Sequence, residues 1–149
     1  MMKGTVELLR EVSLKVGRLT TKILREELGD DLEYFGDIIS ISKLKILAFA
    51  NEEETGKKYS DLYHETGLSK STLSITINEL CDLGMVSKEV RGTSVDTYIK
   101  VTNLGKHFVD VYNNVENRLN ERIFGSLSLD EVEFVDKYLR DLDEIMKYC

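Results

Sequence analysis

The sequence from Tyr59 to Arg91, YSDLYHETGLSKSTLSITINELCDLGMVSKEVR, decides the fold. It divides into a short helix, a tight turn, a second helix and a strand. Gly67 can adopt the positive φ that ends the first helix. Ser69 suits the N-cap of the second helix, because its hydroxyl can accept from the amide of Ser71 or Thr72. The pattern therefore predicts a helix-turn-helix.

The second helix of this motif has an apolar face and a polar face. The apolar side chains recur at helical spacing and are Leu73, Ile77, Leu80 and Cys81. The opposite face is small, mainly polar and accessible, and it comprises Lys70, Ser71, Ser74, Ile75 and Asn78. A second helix that is held across a first by a short turn can lie in the major groove of DNA.

A β-hairpin is predicted directly after the second helix. Gly84 ends that helix, and the alternating segment 87–90 favours an edge strand. Residues 91–94 supply a turn, and the segment 98–101 favours a returning strand. Two helices followed by a hairpin are typical of a winged helix.

In this arrangement the chain resembles the MarR family of bacterial and archaeal transcription regulators. The resemblance rests on GLSKSTLS at 67–74 and on VTNLGK at 101–106, which opens a long helix. Helical segments on both sides also fall where the family has them, so the resemblance covers nearly the whole chain. It implies a mostly α-helical fold with a small β-hairpin: a winged helix-turn-helix with long N- and C-terminal dimerisation helices.

The resemblance implies one domain, 1–149, with dimerisation helices in 1–39 and 103–149 and the winged helix-turn-helix in 40–102. The terminal helices carry apolar stripes with steps of three and four. These stripes comprise Val6, Leu9, Val12, Val16, Leu19 and Ile23 in the first helix and Val132, Val135, Leu139, Leu142 and Met146 in the last. Burial of the stripes against a second copy predicts a homodimer, and the alternative is a monomeric bundle.

The resemblance also implies a homodimer that reads a palindromic operator in double-stranded DNA, with half-sites about one helical turn apart. The expected DNA-binding residues are Ser69, Lys70, Ser71, Ser74, Ile75 and Asn78 on the second helix and Lys88, Arg91 and Thr93 on the wing. Lys70 and Ser69 would touch phosphates, and Ile75 would pack on a thymine methyl. The wing would hold the flanking backbone.

The charge distribution bears on this expectation, because DNA affinity depends largely on cations. The net charge is -7. Residues 1–39 contain six basic and eight acidic residues, and residues 40–102 contain eight basic and nine acidic residues. Residues 103–149 contain six basic and ten acidic residues. The winged-helix segment is therefore almost neutral, and a local positive face is compatible with it.

The alternative from another class is a protein-interaction module, a winged helix that docks on transcription machinery or another regulator without reading DNA. Ile75 and Glu79 favour it, because family members often carry arginine at these places. The wing also has a single arginine, Arg91. The segment 69–74 and the near-neutral charge of 40–102 favour DNA.

Other classes find little support in the sequence. His64 and His107 are the only histidines, and no nucleophile motif or glycine-rich phosphate loop occurs, so we expect no enzyme. Cys81 and Cys149 have no zinc or disulfide spacing, and we expect a buried, inert Cys81, a surface His107 and no cofactor or metal. Without an apolar run that could cross a bilayer, a cytoplasmic protein is expected.

Members of the family frequently bind small aromatic or lipophilic anions, so the resemblance implies a small-molecule effector whose identity the sequence does not give. Candidate lining residues are Tyr34, Phe35, Tyr112 and Arg118. Aromatic side chains of this kind fill cores more often than they bind ligands.

Overall fold

The computed structural model describes residues 2, 4–92 and 96–147. The helices in these residues are α1 (Thr5–Leu28), α2 (Leu32–Phe35), α3 (Ile41–Ala50), α4 (Tyr59–Thr66), α5 (Lys70–Asp82), α6 (Asn103–Phe124) and α7 (Leu129–Met146). The strands are β1 (Lys57–Lys58), β2 (Val86–Arg91) and β3 (Asp96–Val101). The chain is thus mostly α-helical with a small antiparallel sheet, as the sequence predicted.

The helix-turn-helix is confirmed as α4 and α5. Gly67 follows α4 with a φ of 66°, which is in the left-handed region. The Ser69 hydroxyl accepts from the Thr72 amide at 3.1 Å and so caps α5. Leu73, Ile77 and Leu80 are fully buried.

Cys81 departs from the expected inward stripe, because it is only half-buried. Its place on α5 lies one residue beyond Leu80, at the edge of the apolar face rather than at its centre. Burial nevertheless raises the pKa of the Cys81 thiol, with Lys88 opposing and Asp82 adding to the shift. The thiol form is therefore favoured, as expected for an unreactive cysteine.

The sheet has a third strand, β1, that the sequence pattern does not predict. Its order is β1-β3-β2, and Lys57 and Lys58 of β1 pair with Ile99 and Tyr98 of β3. Two lysines after an acidic loop give no strand signal of their own. The pairing is made by tertiary contact, since the edge of β3 opposite β2 supplies the free backbone groups.

Lys57 is buried although it is charged, with an exposed fraction of 4%. Its ammonium donates to the Glu52 carboxylate at 2.7 Å and to the Glu65 carboxylate. Burial alone would lower the pKa of Lys57, but the two carboxylates reverse this effect and raise it. The loop before β1 thus anchors this strand through Glu52.

The β-hairpin has two distinct faces, set by its register. Val86 pairs with Val101 and Lys88 pairs with Ile99. Because directly opposed residues project to the same side of a sheet, Lys88 lies on the face that carries buried Val86, Ile99 and Val101. The opposite face carries Ser87, Glu89 and Arg91 from β2 and Tyr98 and Lys100 from β3.

The segment VTNLGK at 101–106 fixes the start of α6 against the end of α5. The Thr102 hydroxyl donates to the Gly84 carbonyl at 2.6 Å and accepts from the Gly105 amide at 3.1 Å. The Thr102 amide donates to the Met85 carbonyl at 3.0 Å. A side chain at position 105 has no space, since a Cβ there would overlap the Met85 carbonyl oxygen and lie 2.6 Å from Val101 Cγ1.

We therefore expect Gly105→Ala to destabilise the protein by about 1–3 kcal/mol, the usual cost of overpacking. Chemical denaturation monitored by circular dichroism measures the effect. The matched control is Gly17→Ala, because a Cβ at Gly17 meets nothing within 4 Å and alanine is the better helix former. Equal stabilities of the Gly105→Ala variant and the wild type would contradict the close approach.

The chain forms two compact units, 1–116 and 117–149, and α6 contributes residues to both. The core of the first unit is built from α1 to α6 and the sheet. Its largest fully buried side chains are Phe108, Leu44, Leu47, Leu62, Leu73, Ile77, Leu80, Met85, Ile99 and Val115. Assignment of the chain to one functional domain stays a prediction.

The second unit contains the end of α6 and all of α7. The Ser128 hydroxyl accepts from the Glu131 amide at 3.2 Å, and the Glu131 carboxylate accepts from the Ser128 amide at 3.0 Å, so the two residues form a capping box. No side chain of α7 is buried. Among the helices of the described ranges, none combines the length and the apolar character needed to cross a membrane.

Candidate nucleic-acid interface

The outward face of α5 is exposed over its whole length. Lys70, Ser71, Ser74 and Asn78 are exposed, and Ile75 retains 59% of its accessible surface. The opposite side of the helix is held in the core by Leu73, Ile77 and Leu80. The structure therefore brings the predicted helical residues together on one accessible surface, which we call the α5 face.

The N-terminus of α5 is organised by hydroxyl groups. Ser69 Oγ accepts from the Thr72 amide and donates to Thr72 Oγ1 at 2.8 Å. The Ser69 hydroxyl is thus engaged in the cap, and its contact with a phosphate stays a prediction. Lys70 extends beside α4, with its ammonium 5.8 Å from the centre of the Tyr63 ring. Lys70 and the positive end of the helix dipole suit an anion at this end of α5.

Glu79 lies off the α5 face. Its carboxylate is 2.7 Å from the Lys43 ammonium, so the pair links α5 to α3. Lys43 also donates to the Ile38 carbonyl at 2.7 Å. The acidic residue that favoured a protein-interaction module is therefore paired with a cation, which removes one source of repulsion towards a phosphate backbone.

The wing residue Lys88 is brought to the α5 face. Because it projects from the helix-bearing side of the hairpin, its ammonium reaches α5 and donates to Asn78 Oδ1. The two residues are ten positions apart in the sequence and belong to a strand and a helix. The alternation of Val86, Lys88 and Val90 was the sequence signal that could have placed Lys88 on this side.

Arg91 projects from the other side of the hairpin. Its guanidinium donates to the Thr55 carbonyl and to the Glu89 carboxylate, the latter at 2.7 Å, and lies 4.5 Å from the centre of the Tyr98 ring. These contacts tie the wing to the loop before β1. Lys88 and Arg91 therefore do not share a surface. Thr93, the third predicted wing residue, lies outside the described residues.

Among the candidate effector residues, Tyr112 lines a pocket in the first unit. The pocket measures about 360 Å³. It is lined by Lys45 and Phe49 of α3, by Asn51 after that helix, and by α6. Burial, with a smaller effect of Glu116, raises the pKa of the Tyr112 phenol, which stays neutral.

The other candidate effector residues have different environments. Phe35 is half-buried and packs edge-on against the core residue Phe108, with ring centres 5.0 Å apart. Tyr34 is 74% exposed. Arg118 is exposed on the part of α6 that belongs to the second unit.

His107 is on the surface, as expected. Its Nε2 atom lies 2.7 Å from an Asp31 carboxylate oxygen, and its ring packs against Phe108. Within residues 4–92 and 96–147, no group of three or more His, Cys, Asp or Glu side chains is arranged to hold a metal ion.

A helix-turn-helix, a three-stranded sheet with a wing and long flanking helices together form the winged-helix fold of MarR family transcription regulators. AbsC from Streptomyces coelicolor, a regulator of that family, matches with a TM-score of 0.74 and 22% identity over 100% of this chain and 99% of that chain. The S. aureus MepR–DNA complex gives a TM-score of 0.75 and 16% identity over 96% and 98%.

A third similar structure is PcaV from Streptomyces coelicolor in complex with its natural ligand. It matches with a TM-score of 0.73 and 17% identity over 97% of this chain and 98% of that chain. No protein-family model matches the sequence, and no curated protein matches it. At these identities the likeness establishes the fold.

Proposed function

We propose that the protein is a DNA-binding transcription regulator of the MarR type. The observation that carries the proposal is the α5 face, which is exposed, small and rich in hydrogen-bonding groups, while Leu73, Ile77 and Leu80 anchor the opposite side of α5 in the core. These are the properties of a helix that enters the major groove. Ser71, Ser74 and Asn78 would contact base edges or backbone, Ile75 a thymine methyl and Lys70 a phosphate.

We propose further that the regulator acts as a homodimer on a palindromic operator. In α1, Val6, Leu9 and Val12 remain 61%, 49% and 47% exposed. In α7, Phe134 is 73% exposed and Leu139 is 48% exposed. Apolar surfaces of this extent on both terminal helices favour burial against a second copy. A two-fold axis would then present two α5 helices to successive major grooves.

The proposed interface depends on few cations. Four of the eight basic residues in 40–102 pair with acids, namely Lys43 with Glu79, Lys57 with Glu52 and Glu65, Lys58 with Asp96, and Arg91 with Glu89. A cation that already neutralises a carboxylate releases little counterion when it meets a phosphate. We therefore expect a shallow dependence of DNA affinity on salt.

Lys70→Ala is expected to weaken DNA binding across sequences and to lower the salt slope by about one unit, because one phosphate contact is lost. Arg91→Ala should have a smaller effect, since Arg91 must leave Glu89 before it can bind a phosphate. Fluorescence anisotropy at several salt concentrations measures both slopes. Lys137→Ala on α7 is the control, and an unchanged slope in both test variants would contradict the assigned roles.

The function itself is tested by an electrophoretic mobility shift with DNA from the region upstream of the protein's own gene, at low and moderate salt. A shift that competes with unlabelled specific DNA better than with random DNA is expected. A complete absence of binding at about 50 mM salt, where phosphate contacts are strongest, would contradict the proposal.

A protein-interaction module is the second candidate. Ile75 and Val90 are exposed apolar side chains at 59% and 62%, one on α5 and one on the wing. Such residues can anchor a protein partner. This candidate would replace the first if the mobility shift showed no DNA binding.

A small-molecule effector would fit the pocket of α3 and α6. Lys45 supplies a cation at its edge, and Phe49 and Tyr112 supply aromatic surface. An aromatic or lipophilic anion is the ligand class that these groups favour.

A further inference from the structure

The hydrogen bond between Lys88 and Asn78 restricts what Asn78 can recognise. A lysine ammonium carries only donors, so the partner atom of Asn78 must be its acceptor, Oδ1. The amide oxygen is therefore turned towards the wing. The amino group, which is bonded to the same carbon, is left to face away from Lys88.

This orientation bears on base recognition. A bidentate contact between asparagine and adenine needs both amide atoms on one base edge, with Oδ1 accepting from N6 and the amino group donating to N7. Guanine instead presents two acceptors, O6 and N7, in the major groove. The Lys88 ammonium has further hydrogens, and the Asn78 amino group is free to donate. Together they form a set of donors that matches the two acceptors of guanine.

We propose that Lys88 and Asn78 act as one donor unit that selects guanine over adenine at one position in each half-site. Lys88 is in this view a specificity-determining residue of the wing, and not simply a phosphate contact. The inference rests on the proposed DNA-binding function. The pairing of Lys88 with Asn78 depends on the register of β2, because only the face of the hairpin that carries Lys88 is turned towards α5.

The supporting geometry is local and rigid. Asn78 follows buried Ile77 on α5, and Lys88 stands opposite fully buried Ile99 in the sheet. Both backbone positions are therefore fixed by core packing. Lys100, which pairs with Ser87 on the other face of the hairpin, offers a matched control of the same side-chain type.

The experiment selects binding sites from randomised DNA duplexes with the wild type and with Lys88→Met, Asn78→Ala and Lys100→Met variants. The wild type and Lys100→Met should enrich guanine at the same position. Lys88→Met frees Oδ1 and should shift the preference at that position towards adenine by about tenfold. Asn78→Ala should weaken discrimination there.

A guanine preference that persists in Lys88→Met, or a uniform loss of affinity without a change in preference, would overturn the inference. Side-chain amide signals of Asn78 in nuclear magnetic resonance spectra of the DNA-free protein give a second readout. These signals should shift in Lys88→Met and stay in place in Lys100→Met. Unchanged signals in both variants would refute the hydrogen bond between Lys88 and Asn78. If the wild type enriches no sequence while the amide signals respond, the proposed function fails and the base selection fails with it.

Discussion

A Leu139→Asp substitution in α7 is expected to produce a monomer and to weaken operator binding by about a hundredfold or more. Leu139 is 48% exposed in a helix that buries none of its side chains within the chain. In a two-fold interface the substitution would place a carboxylate from each copy in apolar surroundings, where an unpaired charge is costly. A monomer would also lose the gain of about 10²–10⁴ that a tethered second half-site contributes.

Sedimentation equilibrium and fluorescence anisotropy measure the two effects. Lys137→Asp is the matched control, because residues 137 and 139 point to different sides of α7 and Lys137 already carries an exposed polar side chain. Circular dichroism must show that both variants remain helical. A dimeric Leu139→Asp variant with wild-type affinity, or a wild type that is monomeric at micromolar concentrations, would contradict the proposed assembly.

A Phe108→Ala substitution is expected to lower the free energy of unfolding by about 3–5 kcal/mol. Phe108 is completely buried in α6 and contacts the ring of Phe35 edge-on. Its removal deletes apolar contacts and leaves a cavity that the neighbouring helices cannot fill. For a domain of ordinary stability this loss is a large part of the total.

Denaturation in urea, followed by circular dichroism, checks the expected loss. The control is Tyr34→Ala, because Tyr34 is 74% exposed and a truncation there should change stability by less than about 0.5 kcal/mol. Similar unfolding midpoints for the Phe108→Ala and Tyr34→Ala variants would argue against a core centred on Phe108.

The parts of the fold that the sequence predicted are those in which local chemistry is decisive. Gly67 ends α4 through its positive φ, and Ser69 caps α5. The α5 face followed from the 3.6-residue period of Leu73, Ile77 and Leu80. Each of these signals lies within a few residues along the chain, and each is present in the structure.

The features that were missed depend on contacts between distant residues. The strand β1 exists because β3 offers a free edge, and Lys57 is stabilised by two acids that flank it at separations of five and eight residues. Arg91 reaches Thr55 across 36 residues. No local pattern encodes such pairs, because they form only when helices and strands have packed.

The candidate site was predicted as a set of residues but not as an arrangement. The helical members were placed correctly on one accessible surface. The sequence prediction gives the wing members one common role, whereas strand alternation separates Lys88 from Arg91 on opposite sides of the hairpin. The two-residue period of β2 is the sequence signal that separates them.

The brevity of β1 has a consequence for behaviour at high concentration. An exposed sheet edge is a template on which another chain can add a strand and begin aggregation. Here the β1 edge is two residues long, and both residues are lysines, one held by carboxylates and the other partly exposed. Because this edge is short and charged, it offers a second molecule few backbone groups for strand pairing. This protects the protein from fibre formation along the β1 edge.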